Sequence, residues 1–142
     1  MIPVDKLRTL AQRRSAERGF TLIELMVVIS IIVILMSIAI PRYQASITHA
    51  REAVLHDDLY TLRSVIDQYT LDKQKAPQSL QDLVDAGYLR QIPKDPFTDS
   101  RDTWVTEQDD SLMSPDQTAG GIVNVHSGSD ARASDGTTYS SW

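Results

Sequence analysis

The run Phe20–Ile40, FTLIELMVVISIIVILMSIAI, limits what this chain can be more than any other feature. Of its 21 residues only Thr21, Glu24, Ser30 and Ser37 are not apolar. About 20 such residues cross a bilayer as a helix. One charge interrupts the run. An ionised carboxylate in hydrocarbon costs roughly 2.5–3.5 kcal/mol or more, so Glu24 calls for a function and a counterion. The flank before the run is basic: Lys6, Arg8, Arg13, Arg14 and Arg18 against Asp5 and Glu17 give residues 1–19 a net +3. The whole chain carries −5, so the remainder carries −8. A basic flank ahead of an apolar span predicts a cytoplasmic N-terminus. A secretory signal has a shorter apolar core with small residues after it. Here the small residue, Gly19, comes before the run.

Pro41 follows at once and predicts a kink, because proline removes a helix hydrogen bond. The helical pattern then resumes. Ile47, Ala50, Val54, Leu59, Leu62, Val65, Ile66 and Tyr69 recur at three- and four-residue steps, one face of an amphipathic helix. Arg51, Glu52, Asp57, Asp58, Arg63 and Asp67 fall on its other faces. The pattern predicts one helix from about Thr21 to about Asp72, on the order of 75–80 Å long. Past it, Ser79 caps a short helix in LQDLVDAGYL, with Gly87 as its stop. Prolines 93 and 96 make IPKDPFTDSRD extended or turning. TWVTEQ (103–108) and GIVNVHS (121–127) alternate weakly and predict a small antiparallel sheet. The tail GSDARASDGTTYSSW reads as loop. The fold class is therefore α+β: a long N-terminal helix packed on a small antiparallel sheet with a C-terminal loop. Three parts follow: a basic leader, 1–19; the helix, 20–72, with its transmembrane half at 20–40; and a small C-terminal region, 73–142.

Several function classes lack the residues they need. There is no cysteine, which excludes disulfides, thiolate zinc sites and cysteine nucleophiles. A small core without disulfides turns to metal or oligomerisation for stability. His49 and His56 are seven apart, not the i,i+4 spacing of a zinc-binding HExxH helix. They and His126 read as surface histidines, and Asp109–Asp110 as a solvated turn. Tyr43, Tyr60 and Tyr69 read as packing residues. No phosphate loop, GxSxG or triad is present, so no catalytic residue is assigned. The acidic remainder argues against nucleic acid as a partner.

The segment Arg18-Gly19-Phe20-Thr21-Leu22-Ile23-Glu24, behind a basic leader and with Pro41 closing the apolar run, resembles the N-terminal signature of type IV pilins and type II secretion pseudopilins. The resemblance implies a pilin-like fold. It implies that a membrane-embedded aspartyl prepilin peptidase cuts between Gly19 and Phe20 and methylates the new Phe20 amine. The mature chain would be Phe20–Trp142. Glu24 then has a counterion, the Phe20 amine of its own or a neighbouring chain, and would set axial register in a filament. Pro41 would mark the kink or local melting of the helix there.

Many type IV pilins close the C-terminal loop with a disulfide, which this chain cannot do. Pseudopilin G, the major pseudopilin, is similar in lacking it and holds that loop with calcium. Its pattern has counterparts here in LQDLVDAGYL, IPKDPF and VHSGSDARASDGTTYSSW, while the stretch between Thr98 and Gly121 departs from it. Carried over by position, Asp130 and Asp135 would supply carboxylates to calcium, and Ser127 and Ser129 backbone carbonyls. Calcium takes about six to eight oxygens.

The function so implied is a structural subunit that polymerises through its N-terminal helix into a pseudopilus and drives protein export. Its partners would be copies of itself, minor pseudopilins, the prepilin peptidase, an inner-membrane assembly platform with a cytoplasmic ATPase, and membrane lipid before assembly. It would sit in a bacterial inner membrane, single-pass, with a periplasmic C-terminal domain. A type IV pilin for adhesion, motility or DNA uptake is the alternative within the family. A membrane-anchored binding module that never polymerises is the alternative outside it, and it predicts no processing at Gly19.

Overall fold

A computed structural model describes residues 19–110 and 120–142. The leader up to residue 18 and the divergent stretch SLMSPDQTA (111–119) lie outside the described residues. In chain order the elements are α1 (Leu22–Lys73), α2 (Leu80–Asp85), β1 (Val105–Asp109), β2 (Gly121–His126) and a 3-10 turn, Tyr139–Ser141. The chain forms two compact units, Met1–Pro41 and Arg42–Trp142, and the boundary falls inside α1.

In the first unit α1 opens where Thr21 Oγ1 accepts the Glu24 amide at 3.2 Å. A hydroxyl in this place satisfies one of the orphan N–H groups at a helix start. Helical backbone continues on both sides of Pro41.

In the second unit α1 buries Leu55, Leu59, Leu62, Ile66 and Tyr69. The steps alternate four and three, so these side chains form one stripe. Glu52, three residues before Leu55, continues that stripe and is buried too. This corrects the expectation that placed Glu52 on a solvent face. It also moves the apolar face, because Ile47, Ala50 and Val54 are exposed. Val54 precedes Leu55 by one residue, and one residue rotates a helix by about 100°, so both cannot face the core. Tyr69 packs as expected, whereas Tyr43 and Tyr60 face solvent.

Ser79 caps α2 as the sequence predicts. Its hydroxyl accepts the Asp82 amide at 3.3 Å, and Asp82 Oδ2 accepts the Ser79 amide at 3.1 Å. The helix ends at Asp85 with Ala86 as its C-cap, and Gly87 follows as the expected stop at φ +82°, a left-handed conformation that glycine adopts without a Cβ clash. β1 and β2 pair antiparallel, Val105 opposite His126 and Thr106 opposite Val125, with a bulge between Glu107 and Gln108. Ile122 and Val125 of β2 join the α1 stripe, Leu80 and Leu83 of α2, Trp104, Ala133 and Tyr139 in one core. Each such aliphatic side chain contributes about 1.5–3 kcal/mol by leaving water.

Candidate functional site

The first candidate surface is the apolar half of α1. An 18-residue window of it reaches a mean hydropathy of 2.9, long and apolar enough to cross a membrane. None of that window is buried by the rest of the chain. Its hydroxyls are already satisfied: Ser30 donates to the Met26 carbonyl at 2.7 Å and Ser37 to the Ile34 carbonyl at 2.6 Å. Such back-bonding removes the cost of a bare hydroxyl in an apolar medium. Glu24 remains, exposed in the first turn of α1. Its charge suits the positive end of the helix dipole. Gly19 and Phe20 precede the helix and are exposed, which leaves the bond between them open to approach.

The second candidate is the loop after β2. The four residues expected to hold calcium sit on it in different settings. Ser127 is fully buried and donates its hydroxyl to Asp95 Oδ2 at 2.6 Å. Asp95 is itself buried, and its Oδ1 accepts the Phe97 amide at 2.8 Å, which closes the turn of IPKDPF. Ser129 Oγ accepts the Ala131 amide at 3.3 Å. Asp130 and Asp135 are exposed. Asp135 Oδ1 takes the Thr137 hydroxyl at 2.6 Å and the Thr137 amide at 2.9 Å. The Thr137 hydroxyl, first, holds the Asp135 carboxyl below the usual carboxylate range. Among the described residues no three His, Asp or Glu side chains gather where they could hold a metal ion. The two carboxylates expected to bind calcium are thus both exposed, and one of them caps its own turn.

Other groups join this loop to α1. Glu52 accepts the Ser134 amide at 2.7 Å, the Ser134 hydroxyl at 2.6 Å and the Tyr139 hydroxyl at 2.9 Å. Arg63 Nη2 donates to the Val125 carbonyl at 2.9 Å and also to the Trp142 carbonyl. The His56 ring stacks on Trp142 with centroids 4.1 Å apart, and Phe97 stacks on Tyr139 at 3.7 Å. His126 is less exposed than a surface histidine: it is half-buried beside Glu107, 3.6 Å from its carboxylate.

Sequence reasoning missed Glu52, since a charged residue beside Arg51 reads as solvent-facing. Its partners lie 82 and 87 residues away, beyond any local pattern. The signal that finds it is the step pattern 52-55-59-62-66-69, in which Glu52 takes a core position.

A model of the prokaryotic N-terminal methylation motif matches residues 14–40. A type II secretion system core protein G of Klebsiella michiganensis is 36% identical over 101 residues, 60% of this chain and 71% of that protein. The protein of the same name from Escherichia coli K12 is 34% identical over 97 residues, 57% of this chain and 67% of its own. A type IV major fimbrial protein of Dichelobacter nodosus is 42% identical, but over 65 residues, 46% of this chain and 41% of that protein. No solved structure matches.

Proposed function

Because this chain belongs to the family of the type II secretion system core protein G, we propose that it is the structural subunit of a pseudopilus that polymerises through its N-terminal helix to drive protein export. The observation that carries this reading is the apolar half of α1. It is wholly exposed in the single chain, its hydroxyls are satisfied, and one carboxylate, Glu24, is left over. A plain membrane anchor has no use for that carboxylate. A helix that meets a new cation does.

Cleavage between Gly19 and Phe20 supplies the cation, the Phe20 α-amine, which is then methylated and keeps its charge. Among packed helices Glu24 of one copy meets the amine of the next, because buried charges persist chiefly in pairs. Pairing at one axial offset favours one register. The contact is heterologous, so it propagates into an open filament instead of closing a ring. Lipid surrounds the apolar half before assembly and neighbouring helices surround it afterwards. Minor pseudopilins, an inner-membrane platform and a cytoplasmic ATPase supply initiation and work. This chain acts as the substrate of the peptidase and assigns itself no catalytic residue.

In cells lacking this chain, exported proteins accumulate in the periplasm. The wild-type chain restores export, and Glu24→Val does not, although mass spectrometry finds its N-terminus at methylated Phe20. Export unaffected by Glu24→Val removes the register role. Intact export with lost adhesion or motility makes the chain a type IV pilin, the reading that the fimbrial relative favours over a shorter stretch. An uncut, monomeric chain makes it a non-polymerising anchor.

Calcium at Asp130 and Asp135, with the carbonyls of Ser127 and Ser129, is a separate part of the proposal. Carbonyls and water would have to complete the shell. A ligand that binds only the folded state raises Tm. An unchanged Tm of the full chain in detergent at saturating calcium removes this part.

A further inference from the structure

The loop that follows β2 has neither a cysteine to close it nor, among the described residues, a cluster of three metal-ligating side chains. Its own bonds shape it locally. Ala133 donates its amide to the Thr137 carbonyl at 2.7 Å, and Tyr139 to the Ala131 carbonyl at 3.1 Å. These bonds close the loop on itself but do not join it to the helix. Glu52 does that. Its side chain is buried, with 6% of the residue exposed, and both oxygens are used by the loop. Oε1 accepts the Ser134 amide and the Tyr139 hydroxyl, and Oε2 accepts the Ser134 hydroxyl. His49 Nδ1, on the helix one turn earlier, stands 3.4 Å from Oε2 at the solvent side.

A stripe position that only packs would be served by leucine, as the next positions are. A carboxylate there is costly unless its hydrogen bonds are made, and here they are made to one segment. Removing it would leave the Ser134 amide and hydroxyl and the buried Tyr139 hydroxyl without their acceptor. We infer that Glu52 is the anchor that holds the 134–139 stretch of the C-terminal loop on α1 by direct hydrogen bonds, whether or not calcium also binds the loop. The anchor grips at Ser134 and Tyr139, and the turn between them is the one that Asp135 and Thr137 close. This inference stands apart from the function proposed above, since it concerns a loop in the unit that starts at Arg42.

Hydrogen exchange on the full chain in detergent micelles, with EGTA present throughout, tests it. In the wild type the Ser134 amide is protected under EGTA. In Glu52→Ala it exchanges roughly tenfold faster or more, as local opening costs less, while the amides of Leu59–Ile66 keep their protection. Ser134 exchange equal to wild type in Glu52→Ala overturns the anchor. So does a loop that EGTA alone sets free with Glu52 in place, because a cation would then be the anchor. Should Glu52→Ala fail to fold, the double variant Ser134→Ala, Tyr139→Phe removes both hydroxyl donors from the loop side, leaves the backbone amide of residue 134 as the one remaining donor, and keeps the ring packing. Faster exchange across 131–139 supports the anchor there, and unchanged exchange overturns it.

Discussion

Two glutamates on one helix show how little a residue type says without its surroundings. Glu24 stands exposed on an apolar half, and under the proposed function its counterion is a cation that another copy brings. Glu52 is buried in its own chain and already holds its donors. The Ser134 hydroxyl, first, lowers the Glu52 carboxyl below its ordinary 4.5, with burial opposing and with Tyr139 and His49 assisting. Burial, then the bond to Glu52, pushes the Tyr139 hydroxyl up to about 12. Both shifts describe one arrangement, a charged acceptor facing a neutral donor. The sign of the linkage follows. With the folded value lowered, the stability from Glu52 is complete above its unfolded value and is lost as pH falls through the folded one. Wild-type Tm should therefore drop more steeply than that of Glu52→Gln as pH falls from about 5. At neutral pH the substitution should cost about 1.5–3 kcal/mol, the usual worth of hydrogen bonds to a charged group. Parallel Tm curves against pH would show that folding does not lower the Glu52 pKa.

At the level of elements, α2 is too short to stand on propensity, since isolated helices under about 12 residues are marginal in water. Its capping box and its two buried leucines, Leu80 and Leu83, hold it. Ser79→Ala removes one hydroxyl from that box and should cost about 1 kcal/mol in urea unfolding. A change within error would mean that the leucines alone set α2. This element was legible in the sequence because serine, aspartate and Gly87 act within a few residues of each other. The same holds for α1 and for both strands, whose repeats of hydrophobicity are local. What was not legible is how the stripe on α1 is phased. Ile47, Ala50 and Val54 fit a helical repeat as well as Leu55 does, and only packing against Ile122, Val125 and Tyr139 chooses among them. Glu52 follows from that phase, so its role was hidden for the same reason. Ser127 is a like case: a Gly/Ser/Asp stretch reads as solvated turn, yet the buried carboxylate that receives its hydroxyl lies 32 residues back.

For the whole molecule the division at Pro41 has a physical consequence. Every member of the core, from Leu55 to Tyr139, belongs to the second unit. Among the described residues, 19–41 therefore contribute no side chain to that core. Their own apolar half is exposed and requires lipid, detergent or copies of itself. Residues 1–41 carry +2 of the chain's net −5, so 42–142 carries −7, enough self-repulsion to resist association. We therefore expect a fragment spanning residues 42–142 to be monomeric in water by sedimentation and to melt cooperatively. Its amides at Leu55–Tyr69 should match the full chain in hydrogen exchange. The stretch ahead of Glu52 has no buried residue, so its amides should exchange fast, as a fraying helix start does. The full chain without detergent should precipitate. A fragment that aggregates or melts without cooperativity would show that the second unit depends on the first. Independence is what the proposed function requires. A subunit drawn from lipid into a filament changes the surroundings of its apolar half completely, and a core that owes that half nothing stays folded through the exchange.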